Sequence, residues 1–174
     1  MSAVSLEGRA RVFGDDVNTD YIITSRRKRE SLDAKYLAGY LFEEIDPHFA
    51  ASVEPGDIVV AGKNFGCGSA MEVAVTAVLG GGIRAVLARS FSRTYFRNAI
   101  NNGLLPVICD TSSIREGDRL AISNTGGNGN SSMAVRNLRT GETVTGTALP
   151  QIMLDILEAG GIVPYFRQHG DFRI

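Results

Sequence analysis

Two rhythms of apolar and polar positions run along this chain. Ile58-Val59-Val60-Ala61, Ala85-Val86-Leu87-Ala88 and Leu104-Leu105-Pro106-Val107-Ile108 are short continuous apolar runs, as expected for strands buried on both faces. Between them residues 70–79 and 91–102 read as helices. Each is closed by glycine (Gly80-Gly81-Gly82 and Gly103), which a left-handed helix end prefers. Strand–helix–strand units of this length predict parallel pairing with right-handed crossovers. Upstream, residues 9–13 read as a short strand, 14–20 as a polar turn and Tyr21-Ile22-Ile23 as another apolar run. Residues 25–30 read as a basic loop. Leu32, Tyr36, Leu37, Tyr40, Leu41 and Ile45 then follow helical spacing, with Ser31 placed to cap them and Asp46-Pro47 to stop them. Downstream, strands at 119–122 and 133–138 flank a flexible turn, Gly126-Gly127-Asn128-Gly129-Asn130. Thr140-Gly141-Glu142 suits a hairpin ahead of residues 143–146. Residues 150–159 predict a last helix, with Pro150 in its first turn and Gly160 past its end. The pattern predicts an α/β fold, a mixed sheet with flanking helices, in a single domain over residues 1–174.

Composition adds boundaries. The chain has 174 residues, 44% of them hydrophobic and 21% charged, which suits one globular domain with a real core. A net charge of −1 leaves no global field to draw it to nucleic acid or to a membrane. No apolar stretch approaches the roughly 20 residues that cross a bilayer. The first seven residues lack the basic and apolar regions of a signal peptide, so a cytoplasmic location is expected. Cys67 and Cys109 are too few for a disulfide framework, and too few to hold zinc or an iron–sulfur cluster alone.

The candidate chemistry sits after the strand at 58–61, in Asn64-Phe65-Gly66-Cys67-Gly68-Ser69-Ala70-Met71-Glu72. Ser69-Ala70-Met71-Glu72 matches a capping box, in which the serine hydroxyl accepts from the Glu72 amide and Glu72 reaches back. A cap alone explains the serine. The alternative is chemistry, because ligands bind at the carboxyl ends of parallel strands and helix N-termini attract anions. Gly66 and Gly68 would let a ligand approach the backbone closely. The stretch is neither a Walker A loop nor a nucleophile elbow. His48 and His169 lie far from any strand end, which argues against a serine triad.

Three segments resemble the small subunits of the aconitase superfamily. They are Gly14-Asp15-Asp16-Val17-Asn18-Thr19-Asp20-Tyr21-Ile22-Ile23, Gly62-Lys63-Asn64-Phe65-Gly66-Cys67-Gly68-Ser69, and the run from Ser90-Phe91-Ser92-Arg93 to Gly103-Leu104. They stand in the family's order and spacing. The resemblance implies a swivelling β/β/α domain that closes over a large subunit. It places a [4Fe-4S] cluster in that subunit and no cofactor in this chain. The implied reaction dehydrates and rehydrates a small hydroxy dicarboxylic acid of the isopropylmalate type, with homoaconitate, citramalate or methylmalate types as alternatives. Ser69 would be the base that takes a proton from carbon, and Gly66, Cys67, Gly68, Ala70 and Met71 would line the substrate. Thr19 and Asp20 lie in the family's turn beside this loop, where the resemblance gives them a substrate-contact role, with a plain turn role as the alternative.

One departure stands out. The family loop runs Gly-Cys-Gly-Ser-Ser-Arg-Glu-His, whereas this chain has Ala70, Met71 and Val73 at the second serine, the arginine and the histidine. Methionine cannot reproduce a bidentate grip on a carboxylate. Three explanations stand open: an apolar group on the substrate, another cation, or lost activity. Arg26, Arg27, Lys28 and Arg29 are the candidate cations, with Arg26 and Arg27 foremost. A non-catalytic carboxylate-binding module, and a homodimer that covers the loop face, are the rival readings.

Overall fold

The central strands are apolar without interruption because they are covered on both sides. The computed structural model describes residues 4–125 and 130–172. Its strands are β1 (Ser5–Val12), β2 (Ile58–Val60), β3 (Ala85–Ala88), β4 (Leu105–Ile108), β5 (Arg119–Thr125), β6 (Asn130–Asn137) and β7 (Thr143–Pro150). They form one mixed sheet in the order β4-β3-β2-β1-β5-β6-β7. Strands β1 to β4 pair in parallel, and β1, β5, β6 and β7 pair antiparallel. Strand β1 belongs to both halves: Ser5–Arg9 face β5, and Ala10–Val12 face β2. Gly8 sits at this junction, where a Cβ would lie 1.9 Å from the Gly56 carbonyl oxygen.

The helices are α1 (Thr19–Ile22), α2 (Ser25–Glu30), α3 (Ala34–Ala38), α4 (Phe49–Ser52), α5 (Val73–Gly80), α6 (Arg93–Asn102), α7 (Gln151–Glu158) and α8 (Ile162–His169). The strand period of two divides the core cleanly. Val59, Ala61, Val86 and Ala88 face α5 and the α1–α3 region. Ile58, Val60, Ala85 and Leu87 face the opposite way, against Leu120, Ile122, Met133, Val135 and Leu154. Gly146 of β7 packs against Val107 and Ile108 of β4, so the two ends of the strand order meet and the sheet curls around this second core. Among the described residues no helix is long and apolar enough to cross a membrane.

Several local expectations need correction. The basic run 25–30 is a helix, because the Thr24 hydroxyl accepts from the Arg27 amide and caps it. The apolar spacing from Leu32 to Ile45 holds only a five-residue helix. Asp33 rather than Ser31 caps it, Leu32 is exposed, and a left-handed Phe42 (φ 56) prevents continuation. Pro150 ends β7 and is the N-cap of α7 rather than its first residue. Helices α4 and α8 carried no signal strong enough to be read. The turn read at 126–129 lies outside the described residues. By contrast α6 matches its reading closely: Ser92 caps its start and a left-handed Gly103 (φ 83) its end.

Candidate active site

The three segments singled out in the sequence converge at the carboxyl edge of the parallel strands, where α/β sheets bind ligands. The segment after β2 runs between the other two. Its Gly66 amide donates to Val17 O at 2.8 Å, and the Thr19 amide donates to Cys67 O at 2.8 Å. On its other side Phe65 N donates to Ser90 O (3.0 Å) and Ser92 N to Phe65 O (2.9 Å). Isolated parallel bridges, Asn18 with Cys67 and Phe65 with Phe91, extend the sheet into the loops. Asp16 (φ 55) and Asn64 (φ 60) are both left-handed, and Asn64 Nδ2 donates to the Asp16 carboxylate at 2.9 Å. Asp and Asn tolerate this conformation better than other side chains do. The loop is therefore ordered by hydrogen bonds on both flanks.

Helix α5 begins at Val73, not at residue 70, with Glu72 as an N-cap that makes no side-chain capping bond. The capping-box reading of Ser69 is thus overturned. The Ser69 carbonyl accepts instead from the Thr19 hydroxyl at 2.8 Å. In a helix starting at Ala70 that oxygen would accept from the Val73 amide. Here the first turn closes on Met71 and Glu72 instead: Ala74 N donates to Met71 O (3.1 Å) and Thr76 N to Glu72 O (3.1 Å). Ser69 is exposed and its hydroxyl bonds to no described group. It lies a turn before the helix proper, where the helix dipole has weakened.

The predicted lining residues divide sharply. Gly66 (φ 77) and Gly68 (φ 93) are glycine for reasons inside the chain. A Cβ on Gly66 would lie 2.2 Å from the Tyr95 ring, and one on Gly68 would lie 2.4 Å from Asn18 Oδ1. Tyr95 is buried, packs edge-on against Phe65 at 5.1 Å and donates to Ala74 O. Cys67 is half-buried, and burial, with a smaller effect of Asp16, pushes its thiol pKa up. Ala70 is exposed. Met71 packs into the core, 4% exposed, with only a small edge at the surface.

The cations divide likewise. Arg27 is committed internally. Its Nε and Nη2 donate to the Glu43 carboxylate (both 3.1 Å), Nη1 donates to Glu30 (3.0 Å), and the guanidinium lies 3.6 Å over the Tyr40 ring. The Glu43 hydrogen bonds, then Glu30, raise its pKa further. The substrate role expected of Arg27 does not fit this geometry. Arg26 is exposed and hydrogen-bonds to nothing described, although Glu30 feels its charge. Asp20 accepts from Ser25 Oγ at 2.7 Å, joining α1 to α2. Thr19, 2% exposed, holds Ser69 from beneath and offers no surface of its own. Thr94 and Asn98 of α6 share a shallow crease with Ser69, Ala70 and Met71. Neither was singled out as a site residue, although both lie within the third family-like segment, residues 90–104. Among the described residues no three His, Cys, Asp or Glu side chains cluster to hold a metal, and Cys109 is buried in the second core.

Comparison with known proteins places this geometry among related ones. The family model described as Aconitase C-terminal domain matches residues 25–112. A 3-isopropylmalate dehydratase small subunit from Deinococcus deserti is 44% identical over 162 residues, covering 91% of this chain and 86% of that one. A protein named isopropylmalate/citramalate isomerase small subunit, from Methanocaldococcus jannaschii, is 41% identical over 165 residues, 94% of each chain. The crystal structure of a 3-isopropylmalate dehydratase chain from the same organism superposes with a TM-score of 0.86 at 38% identity, covering 96% of both chains.

Proposed function

Since this chain belongs to the aconitase C-terminal domain family, among the 3-isopropylmalate dehydratase small subunits, we propose that it is the small subunit of a hydro-lyase of that type. In this reading the whole chain is one swivel domain working in the cytoplasm with a large subunit. Together they remove water from a hydroxy dicarboxylic acid and add it back. The observation that carries the reading is Ser69: an exposed hydroxyl with no hydrogen bond among the described residues, on a loop tied down on both flanks. A base that must meet carbon in a partner's cleft needs both properties.

Ser69 Oγ takes the proton from the substrate carbon and returns one during rehydration. Among the described residues it meets no group that would deprotonate it, so its activation belongs to the closed complex. The residues present do not fit an iron–sulfur cluster, since one cysteine is buried and the other is a half-buried loop residue. We assign the [4Fe-4S] cluster to the large subunit. Ala70 is the apolar side chain the loop presents beside Ser69, which suits a substrate bearing an alkyl group. With Arg27 committed to Glu43 and Glu30, Arg26 is the foremost remaining cation to meet a carboxylate, beside the exposed Lys28 and Arg29.

Anaerobic reconstitution with the large subunit, assayed against a panel of hydroxy diacids, tests the reading. 3-Isopropylmalate should turn over, and Ser69→Ala should abolish turnover while the complex still assembles. Full activity of Ser69→Ala removes this serine from the mechanism. A complex inactive on every diacid favours the non-catalytic carboxylate module.

A further inference from the structure

The Ser69–Glu72 stretch has the makings of a helix start that the fold does not use. Its sequence is a capping box, and Met71 lies at helical spacing from Val75 and Val78, all three buried in one core. Extending α5 back to Ala70 would therefore keep Met71 on the buried face. At Ser69 itself the segment is held by a hydrogen bond across 50 residues: Thr19 Oγ1 donates to Ser69 O, 2.8 Å, from a threonine 2% exposed. It ties to α1 the carbonyl that would accept from the Val73 amide if the helix began at Ala70, a bond the fold does not make.

We infer that Thr19 is a positioning residue that keeps Ser69 out of helix α5, and that losing its hydroxyl lets the helix grow back one turn and withdraw the serine. In the grown helix the Ser69 hydroxyl accepts from the Glu72 amide and the Glu72 carboxylate closes on the Ser69 amide. The group proposed as base is then engaged as a cap and turned away from the partner. Thr19 thus acts through Ser69 and never touches substrate. The kinetic part of this inference rests on the proposed function; the structural part does not.

The test replaces Thr19 in the full chain and uses two readouts. The first is amide hydrogen exchange of the isolated chain at residues 69–75. Thr19→Val should slow exchange of the Val73 amide about tenfold or more, as it gains the Ser69 carbonyl. The second is turnover of 3-isopropylmalate by the reconstituted complex. Here kcat should fall roughly 10- to 100-fold, the range for a displaced reacting group. KM should stay within about twofold and assembly should be unchanged. Thr19→Ser, which keeps the donor, should recover both readouts. Thr19→Ala gives the same comparison if the valine variant does not fold. Parent-like exchange at Val73 overturns the inference, as does a rise in KM alone, which would make Thr19 a substrate contact. Failure of the serine variant to recover overturns it too. If Ser69→Ala proves fully active the proposed base is lost, yet the exchange data still decide whether Thr19 holds the loop.

Discussion

Gly68 offers a quantitative check on why the loop carries glycine. Replacing it with alanine forces an L-residue to φ 93, a left-handed conformation that costs about 1–2 kcal/mol. The new Cβ would also lie 2.4 Å from Asn18 Oδ1. That oxygen accepts from the Asp20 amide at 2.9 Å and caps α1. The Asn18 amide is a side-chain end and can turn away, but the cap is then lost, at about 1 kcal/mol. Gly68→Ala should therefore destabilise by about 2–3 kcal/mol. In an Asn18→Ala background the cap is already gone, and the same change should cost only the backbone part, about 1–2 kcal/mol. Urea unfolding of the four proteins of the cycle, compared at a common m-value, reads this coupling of about 1 kcal/mol. Strict additivity would refute the steric account. A Gly68→Ala variant as stable as the parent, with only its substrate affinity reduced, would return Gly68 to the ligand-approach role expected from sequence.

Other outcomes follow from the same geometry. Ser69→Ala should change unfolding stability by less than about 0.5 kcal/mol, as for an exposed side chain without partners, whereas a serving cap would cost about 1 kcal/mol. Met71→Ala should cost about 2–5 kcal/mol and Met71→Leu under about 1.5, read by the urea midpoint, because Met71 fills core rather than binding ligand. Asp118 is buried under the Arg139 guanidinium, whose hydrogen bonds hold its carboxyl well below the usual range against the opposing effect of burial, with Asn137 assisting. A depressed folded pKa gives stability that is fully present above the unfolded value of about 4 and is lost as pH falls below it. Melting temperature should accordingly drop from pH 5 toward pH 3, and Asp118→Asn should flatten that slope; an unchanged slope would exclude this carboxyl as a source.

The sequence by itself determined what depends on neighbours along the chain. The parallel strands were legible because strands covered on both faces must be apolar throughout. Helix α6 was legible because Ser92 and Gly103 satisfy its ends locally. The three motifs around Asp16, Ser69 and Arg93 marked the family, and the fold brings them side by side. Tertiary structure alone decided the rest. Whether Ser69 caps a helix or stands free turns on Thr19, 50 residues away. Arg27 was lost as a free cation to Glu43 and Tyr40, which no local pattern links to it. Gly66 and Gly68 answer to Tyr95 and Asn18, and Met71 to a core assembled from distant elements. In each case a side chain or carbonyl had more than one adequate partner in prospect. Local pattern lists such partners, but only the folded chain brings one of them within hydrogen-bonding or packing distance.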